Sequence, residues 1–476
     1  MTRAPNVLWI CTDQQRYDTI GALGNPSVRT PTIDGLVASG VAFERAYAQS
    51  PICTPSRASF LTGRYPSSIG VNRNGNEAFP ADVPLLPRLF ADAGYDCGLV
   101  GKLHLASAHR RIEPRVDDGY RFWQYSHAPR DDWPEGHDYA DWVAARGFRL
   151  ADLVQDPAGI PAELHQTTWC AERTIDFITQ ERSGPWFVSV NFYDPHPPFV
   201  PPRRSAPGHE PGSLPGPRFR DADLEHQGRL AAVDFQSRPR PPGALDYRDP
   251  LDAARAAAGS SDARSLTAAY YAMIEFIDEQ VGRILAALDA SGQRDDTLVI
   301  FMSDHGEMLG DHGLIQKGCR FYEGLVRVPL ILSYPRAFVP GLRSTALVEL
   351  IDLAPTLLES IGLPALPAMQ GVSLLPIARG ERSPDGHRTH VRSEYFDALA
   401  LPDGSLGTMF RDDRYKLSVY HGHERGELYD LVADPDEFHD LWDDPAAQDV
   451  KLDLLKRSFD AAIVAMDKGS PRRGPM

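Results

Sequence analysis

Polar side chains follow four apolar segments of this sequence, each at the point where the segment ends. The segments NVLWICT, CGLVG, WFVSVNFY and TLVIFMS have the length and composition of buried strands. The polar groups that follow them are Asp13-Gln14, Lys102 with His104, Asp194 with His196, and Asp304-His305. One aspartate after a strand often belongs to a turn, and one histidine is commonly a satisfied surface residue. Four such groups are hard to assign to turn chemistry, so they predict one active site at the carboxyl ends of the strands.

Several of these side chains can bind a divalent metal ion. Asp13, Gln14 and Asp304 offer oxygen ligands, and His305 can add one nitrogen. Mostly oxygen coordination favours Ca²⁺, Mg²⁺ or Mn²⁺ over a structural zinc ion. The single imidazole shifts the balance slightly toward Mn²⁺, and the residues leave the identity of the metal open.

The stretch PICTPSRASFLTGRYP places Cys53 at the start of a short predicted helix. Thr54 is expected to cap this helix with Pro55 at its first position, and Gly63 is expected to end it. Cys53 then lies at the positive end of the helix dipole, and Arg57 can point back toward the same place. Two interpretations follow: an inert buried cysteine before a capped helix, or a nucleophile in an electropositive pocket.

The elements that must position these residues alternate along the chain. Helical patterns, such as the one over residues 266–292, separate the apolar segments, and PLILSY over 329–334 is predicted to be a further buried parallel strand. This alternation predicts a doubly wound α/β fold, in which helices cover both faces of a mostly parallel sheet.

The composition changes twice along the sequence. A segment rich in Pro, Gly and Arg over about 197–262 is predicted to be a long surface excursion beside the site, either a lid, an oligomer contact or decoration. After about residue 380, shorter alternating segments predict a small antiparallel sheet closed by a helix near 447–466. We therefore predict a catalytic domain over 1–380 and a smaller C-terminal α+β domain with a loose or partner-contacting tail over 381–476.

Charge and cysteine content restrict the partners and the compartment. The formal net charge of −16 argues against nonspecific binding to nucleic acid or to anionic membranes, although a local basic pocket can still hold a small anion. No apolar run is long enough to span a membrane, and the first one is too short for a signal peptide. The five widely spaced cysteines form no CxxC pair and suit a reducing cytoplasm.

The stretch around Cys53 resembles a family signature. CTPSR followed by LTGR matches the pattern C-x-P-S-R-x-x-x-L-T-G-R of type I, formylglycine-dependent sulfatases of the alkaline phosphatase superfamily. Further similar segments are TPTIDGLVASGVAF, GKLH, DPHPPF, SDHGEMLGDHGLIQKG, RVPLIL and ELYDLVADPDE. The resemblance implies an alkaline phosphatase-like fold and one bound divalent metal ion, which is calcium in most of the family. It also implies that a maturation enzyme reading C-x-P-x-R oxidises Cys53 to Cα-formylglycine.

The resemblance also implies roles for individual residues. The metal ligands would be Asp13, Gln14, Asp304, His305 and the formylglycine hydrate formed from Cys53. Arg57 would hold the hydrate, and the oxygens of the sulfate or phosphate group would be surrounded by Lys102, His104, His196 and Lys317.

Three functions are compatible with these residues. The first is hydrolysis of aryl, alkyl or sugar sulfate monoesters, as in arylsulfatases. The second is hydrolysis of phosphonate monoesters or phosphodiesters, because Gln14 and His305 resemble that branch of the superfamily, whereas Lys102 and His104 match the sulfatases. The third is a catalytically silent binding protein with an unmodified Cys53, which the complete set of site residues disfavours. The proline-rich segment and the basic tail make a homo-oligomer plausible.

Overall fold

A computed structural model of the chain describes residues 4–109, 111–129, 136–156, 159–203, 208–247, 259–399 and 404–466. Parts of the proline-rich segment and the basic tail lie outside these ranges. The strands are β1 (Asn6–Thr12), β2 (Val41–Tyr47), β3 (Asp96–Gly101), β4 (Phe122–Tyr125), β5 (Trp186–Asn191), β6 (Leu245–Tyr247), β7 (Gly259–Ser261), β8 (Thr297–Ser303), β9 (Arg327–Val328), β10 (Leu330–Ser333), β11 (Leu342–Glu349), β12 (Val391–Phe396), β13 (Leu406–Arg411), β14 (Tyr415–His421) and β15 (Gly426–Asp430). The helices are α1 (Pro31–Ser39), α2 (Cys53–Thr62), α3 (Pro66–Ile69), α4 (Leu86–Asp92), α5 (Asp138–Ala144), α6 (Leu150–Gln155), α7 (Gln166–Ile178), α8 (Asp221–Arg229), α9 (Ala263–Ala290), α10 (Glu323–Val326), α11 (Leu353–Ser360), α12 (Leu375–Ala378) and α13 (Gln448–Ala465).

The large sheet brings together the ends of the four predicted strands. Its nine strands follow the order β11-β2-β10-β8-β1-β5-β3-β4, with β9 paired to β2. The four central neighbours β8, β1, β5 and β3 are parallel, and their last residues are in register: Thr12 opposite Ser303, and Cys11 and Gly101 opposite Asn191. The polar residues that follow these strands therefore leave the sheet at the same edge. The predicted fold, a mostly parallel sheet between helices with a separate small antiparallel sheet, is confirmed.

One predicted parallel strand runs the other way. The segment 329–334 contains β10, which pairs antiparallel with both β8 and β2. The prediction of a parallel strand was wrong because a buried apolar run gives burial but not direction. Direction depends on the connection. Arg327 of β9 lies opposite Tyr47 at the end of β2, so the chain enters the sheet from the edge at which β8 ends, and β10 continues antiparallel to β2 and β8.

Two apolar layers hold the large sheet between helices. Alternate residues of β1 belong to opposite layers: Val7 and Trp9 pack with side chains of α2, α4 and α11, whereas Leu8 and Ile10 pack with side chains of α1, α7 and α9. Every residue of β1 is buried because helices cover both faces. This explains why the strand is apolar throughout instead of alternating with polar residues.

The C-terminal segments form the predicted antiparallel sheet and helix. Strands β12 to β15 pair in sequence order, each antiparallel to the next. One face of this sheet packs against α13, where Leu454 is buried. The other face packs against residues near Tyr322 of the large domain. The domain boundary near residue 380 stays a prediction.

The described part of the proline-rich segment is packed against the site rather than lying only on the surface. Helix α8 leads to Leu230, Val233 and Phe235, which are buried in one apolar cluster. Phe235 forms a bridge with Gly318, and the N–H of Gln236 donates to the carbonyl of Lys317 at 3.3 Å. This segment therefore supports the loop that carries Lys317. Within the described ranges, the chain has no helix of the length and hydropathy needed to cross a membrane.

Candidate active site

Two fully buried carboxylates lie side by side where β1 and β8 end. Arg57 joins them, because its Nε donates to Asp304 Oδ2 at 2.9 Å and its terminal nitrogen lies 3.4 Å from Asp13 Oδ2. The amine of Lys102 lies 2.5 Å from the same Asp13 oxygen. Burial acts to raise the pKa of Asp13, but Lys102, His196 and Arg57 outweigh it and hold that pKa well below its usual range. Arg57 and Lys102 thus keep the buried carboxylate of Asp13 ionised.

His305 presents one ring nitrogen to these carboxylates. Its Nδ1 lies 2.9 Å from the carbonyl oxygen of Gly306, which can only accept, so Nδ1 carries the hydrogen and Nε2 offers a lone pair. Nε2 lies 3.9 Å from an oxygen of Asp13 and of Asp304, and 3.1 Å from the sulfur of Cys53. Ligand atoms of Asp13, Cys53, Asp304 and His305 all lie within 4.8 Å of one another and are buried. This donor set, with the sulfur standing where an oxygen of a modified residue would be, fits a divalent metal ion.

Helix α2 places Cys53 in its first turn. The helix begins at Cys53 itself after the extended residue Ile52, and no side chain caps it. The prediction that Thr54 caps the helix was wrong, because the helix starts two residues earlier and the N–H of Thr54 instead donates to Asn74 Oδ1 at 3.0 Å. Gly63 ends the helix in the left-handed region at φ 68°, as predicted. The observed start places Cys53 directly at the positive end of the helix dipole.

Lys317 completes an electropositive environment around Cys53. Its amine lies 2.9 Å from the Cys53 sulfur, 2.7 Å from Gln14 Oε1 and 3.3 Å from His305 Nε2. Burial alone would raise the pKa of the Cys53 thiol, but Lys102, Lys317 and His305 lower it well below its ordinary value. The pocket therefore stabilises negative charge on an atom at position 53.

Glu307 orients the amide of Gln14, although the sequence analysis assigned it no role. Its buried carboxylate accepts a hydrogen bond from Gln14 Nε2 and another from the N–H of Leu309 at 3.1 Å. The amide nitrogen is thereby turned away and Oε1 faces the amine of Lys317. The only sequence feature that pointed to Glu307 was its position three residues after Asp304, and spacing alone does not tell what a carboxylate contacts.

Lys102 and His104 leave β3 on a loop with unusual backbone geometry. Gly101 has φ +92°, and a Cβ at this position would lie 2.0 Å from the carbonyl oxygen of Asn191, so only glycine fits here. His104 has φ 59°. Burial and the charge of Lys102 lower the pKa of His104 to about 3, while its interaction with Cys53 acts in the opposite direction. The ring is therefore neutral near pH 7.

Two residues that the sequence did not single out hold His104 in place. The carboxylate of Glu113 accepts hydrogen bonds from the backbone N–H groups of His104, Leu105 and Ala106. The ring of His127 packs edge-on against the ring of His104 at 4.4 Å. Glu113 lies in the charged stretch HRRIEPR, where sequence gives no reason to prefer it over its neighbours.

His196 lies at the same edge, beyond β5. The N–H of Asp13 donates to the carbonyl of Asp194 at 3.2 Å, which fixes this turn against the carboxylate cluster. The ring of His196 packs against Tyr193 at 4.7 Å, and the amine of Lys102 lies 5.5 Å above the same Tyr193 ring. Nδ1 of His196 contacts the carbonyl of Pro197 at 2.7 Å, which leaves Nε2 available. The structure thus brings the ten predicted site residues to one edge of the sheet.

Comparison with known proteins agrees with this geometry. The family model "Sulfatase" matches residues 5–363, and "N-sulphoglucosamine sulphohydrolase, C-terminal" matches residues 310–462. The chain is 30% identical to the "Multifunctional alkaline phosphatase superfamily protein PehA" of Trinickia caryophylli, covering 98% of this chain and 97% of the relative. It is 27% identical to an arylsulfatase of Clostridium perfringens, covering 98% and 95%.

A solved structure is similar over the same length. The phosphonate monoester hydrolase of Agrobacterium radiobacter superposes with a TM-score of 0.80 at 27% identity, covering 98% of this chain and 96% of that one. The family model spans most of the chain, and the relatives are matched over nearly their whole length. The chain therefore belongs to the Sulfatase family of the alkaline phosphatase superfamily and is a sulfuric ester hydrolase.

Proposed function

We propose that the protein hydrolyses sulfate monoesters of aryl, alkyl or sugar alcohols, releasing inorganic sulfate and the alcohol, with a nucleophile derived from Cys53. One observation carries this proposal. The sulfur of Cys53 lies 2.9 Å from the Lys317 amine and 3.1 Å from His305 Nε2, at a helix N-terminus and beside two buried carboxylates. A nucleophile, a metal-binding group and cations for an anionic ester are thus gathered at one point.

Position 53 is proposed to act as formylglycine. In the structure the residue is a cysteine, and its sulfur stands in for the hydroxyl oxygens of the hydrated aldehyde. Two oxygens on one carbon let the enzyme release the ester it forms, whereas a plain serine or cysteine would stall as a stable ester. All ten residues of α2 are buried, so we expect the maturation enzyme to meet the CTPSR motif before the chain folds.

The proposed metal ligands are Asp13, Gln14, Asp304, His305 and an oxygen at position 53. Mostly oxygen donors with one imidazole suit Ca²⁺, Mn²⁺ or Mg²⁺, and the family resemblance favours Ca²⁺. A bound divalent cation would lower the pKa of a hydroxyl at position 53 and offset the charge of the ester group.

The remaining residues divide the work of the reaction. Arg57 and the helix N-terminus hold position 53 for in-line attack on sulfur, and Lys102 and Lys317 stabilise the ester oxygens where charge grows. His196, helped by Lys317, protonates the leaving alcohol oxygen. His104, whose ring is neutral near pH 7, is the proposed acceptor of the proton that the second hydroxyl loses as sulfate departs.

A second candidate is hydrolysis of phosphonate monoesters or phosphodiesters on the same scaffold. His305 Nε2 contacts the Cys53 sulfur, and Gln14 Oε1 contacts the Lys317 amine that lies against the same sulfur. Gln14 together with His305 is the combination that resembles this branch. The similarity to a phosphonate monoester hydrolase over nearly the whole chain supports the same candidate.

Two measurements test these proposals. Mass analysis of the peptide containing residue 53, in protein from its own host, should find an aldehyde, while the peptide containing Cys319 should keep its thiol. Turnover of matched aryl sulfate, phosphonate monoester and phosphodiester substrates then ranks the two activities. The Cys53→Ser variant should complete one turnover and retain a covalent adduct; undiminished multiple turnover by this variant would overturn the mechanism.

We also propose a cytoplasmic location and two partners for the enzyme. All five cysteines are buried and unpaired, which suits a reducing cytoplasm. Its partners would be a small anionic ester and a formylglycine-generating enzyme.

A further inference from the structure

The C-terminal helix α13 carries a concentration of exposed apolar side chains. Among the described residues, twelve large hydrophobic side chains are exposed, and five of them lie within fifteen residues on or next to this helix. These are Leu452, Phe459, Ile463, Val464 and Met466, which are 49–72% exposed. Singly scattered apolar residues on a surface need no explanation, but a contiguous group marks an interaction surface.

Four of these residues form one stripe along the helix. Leu452, Phe459, Ile463 and Met466 follow one another at intervals of seven, four and three residues, so they share one side of the helix. Leu454 points the other way and is buried against the small sheet. Helix α13 therefore has two apolar faces, of which the sheet covers one.

The apolar residues on this side of the helix are spaced symmetrically about Phe459. Leu452 lies seven residues before Phe459 and Met466 seven residues after it. Ile463 lies four residues after it, and Leu455, which is half-buried and also packs against the small-sheet cluster, lies four residues before it. We propose that this stripe is an isologous interface, at which α13 pairs antiparallel with α13 of a second copy of the chain. A twofold axis through Phe459 would then place Leu452 opposite the partner's Met466 and Leu455 opposite the partner's Ile463.

The charges beside the stripe favour this antiparallel pairing. Lys456 and Asp460 lie on its edge and are both exposed, and their own ion pair measures 2.6 Å. About the same axis, Lys456 lies next to the partner's Asp460, whereas a parallel twofold pair would place these residues on opposite sides of the contact, where they do not meet. Antiparallel helices also place opposite ends of their dipoles together.

Exposed acidic residues lie at the start of the helix, namely Asp443, Asp449 and Asp453, and they would repel an anionic membrane. A net charge of −16 disfavours an anionic membrane surface as the alternative occupant.

The mass of the full chain in solution tests the interface. Light scattering after gel filtration, at micromolar concentration, should give twice the chain mass of 52.6 kDa for the wild type. Phe459→Asp should give the single mass with unchanged circular dichroism and activity. Val432→Asp, an equally exposed apolar position outside α13, should remain dimeric. A monomeric wild type, including one that binds anionic vesicles, would overturn the proposal, as would a dimer that survives Phe459→Asp.

Two further variants test the pairing itself. Asp460→Lys alone should weaken the dimer, and the double variant Lys456→Asp/Asp460→Lys should restore it, because the reversed charges remain complementary. Phe459→Cys should form a disulfide-linked dimer on oxidation, since the axis places the two copies of this residue face to face. Val464→Cys, on another side of the helix, is the matched control. Equal cross-linking at both positions, or no rescue by the double variant, would contradict the antiparallel arrangement.

Discussion

The carboxylate of Glu113 accepts the backbone N–H of His104 at 2.6 Å, and it holds the next two N–H groups at 2.7 and 3.0 Å. Three hydrogen bonds to one buried carboxylate fix a loop in which His104 itself has φ 59°. We therefore expect Glu113 to act on the proposed reaction by positioning His104 and not by touching the substrate.

We expect Glu113→Gln to lower kcat by about 10- to 100-fold with little change in KM. The substitution replaces one accepting oxygen by an NH2 group, so that a donor faces one of the backbone N–H donors. Steady-state kinetics with an aryl sulfate measures kcat and KM separately. In a His104→Ala background the same change should cost little more, since the two residues act as one unit. Additive losses would mean that Glu113 has only a general structural role. Glu77→Gln, an exposed glutamate, is the control.

The amine of Lys317 contacts the Cys53 sulfur, the Gln14 amide oxygen and His305 Nε2. Lys317→Ala should therefore lower kcat by about 10²- to 10³-fold, the usual cost of removing one donor to developing charge. Lys451→Ala, which removes a lysine far along the chain on α13, should leave kcat unchanged. A Lys317 variant that loses affinity alone would assign this residue to ground-state binding.

The sequence could predict that the polar residues after four strands lie together. Strands that alternate with helices indicate a parallel sheet, and the polar residues all follow the ends of its strands. Asp13, Lys102, His196 and Asp304 follow consecutive parallel strands, so the sheet must gather them. The buried position of Arg57 follows in the same way, from its place one turn after Cys53 at a helix N-terminus.

The supporting residues could not be predicted because their partners are distant in sequence or depend on backbone conformation. Glu307 and Glu113 are ordinary acidic residues until the loops around them close and direct N–H groups toward them. The direction of β10 and the start of α2 likewise depend on tertiary contacts, since neither apolar runs nor capping preferences determine them alone.

The proposed ligands, which include Asp304 and His305, form a single metal site in each chain. The wild type should hold one divalent ion per chain by elemental analysis, and chelation should abolish turnover that Ca²⁺ or Mn²⁺ restores. Asp304→Asn should weaken metal binding more than about 100-fold. Mutating even a residue that only hydrogen-bonds to a metal ligand typically lowers metal affinity about 10- to 100-fold. Asp117→Asn, at an exposed site, should retain the ion. Full metal content in Asp304→Asn would contradict the assigned ligand set.

His226 on α8 links the large domain to the small sheet in a pH-dependent manner. Its Nε2 lies 2.9 Å from Glu427 on β15, with Asp440 at 4.0 Å and Arg229 at 3.2 Å from Nδ1. Burial and the nearby charge of Arg229 lower the pKa of His226, but Glu427 and Asp440 outweigh them and raise that pKa above its ordinary 6.5. The ion pair therefore stabilises the fold fully below about pH 6.5 and loses its contribution as pH rises through the raised pKa.

Replacing His226 should consequently cost more stability at low pH than at high pH. We expect His226→Gln to lower the free energy of unfolding by about 1.5–3 kcal/mol at pH 6, the range for hydrogen bonds to charged groups, and by clearly less at pH 9. Urea denaturation at both pH values measures the difference, with His423→Gln at an exposed site as the control. A loss that is equal at both pH values would show that the imidazole stabilises this contact in its neutral form, as packing or as an uncharged hydrogen bond.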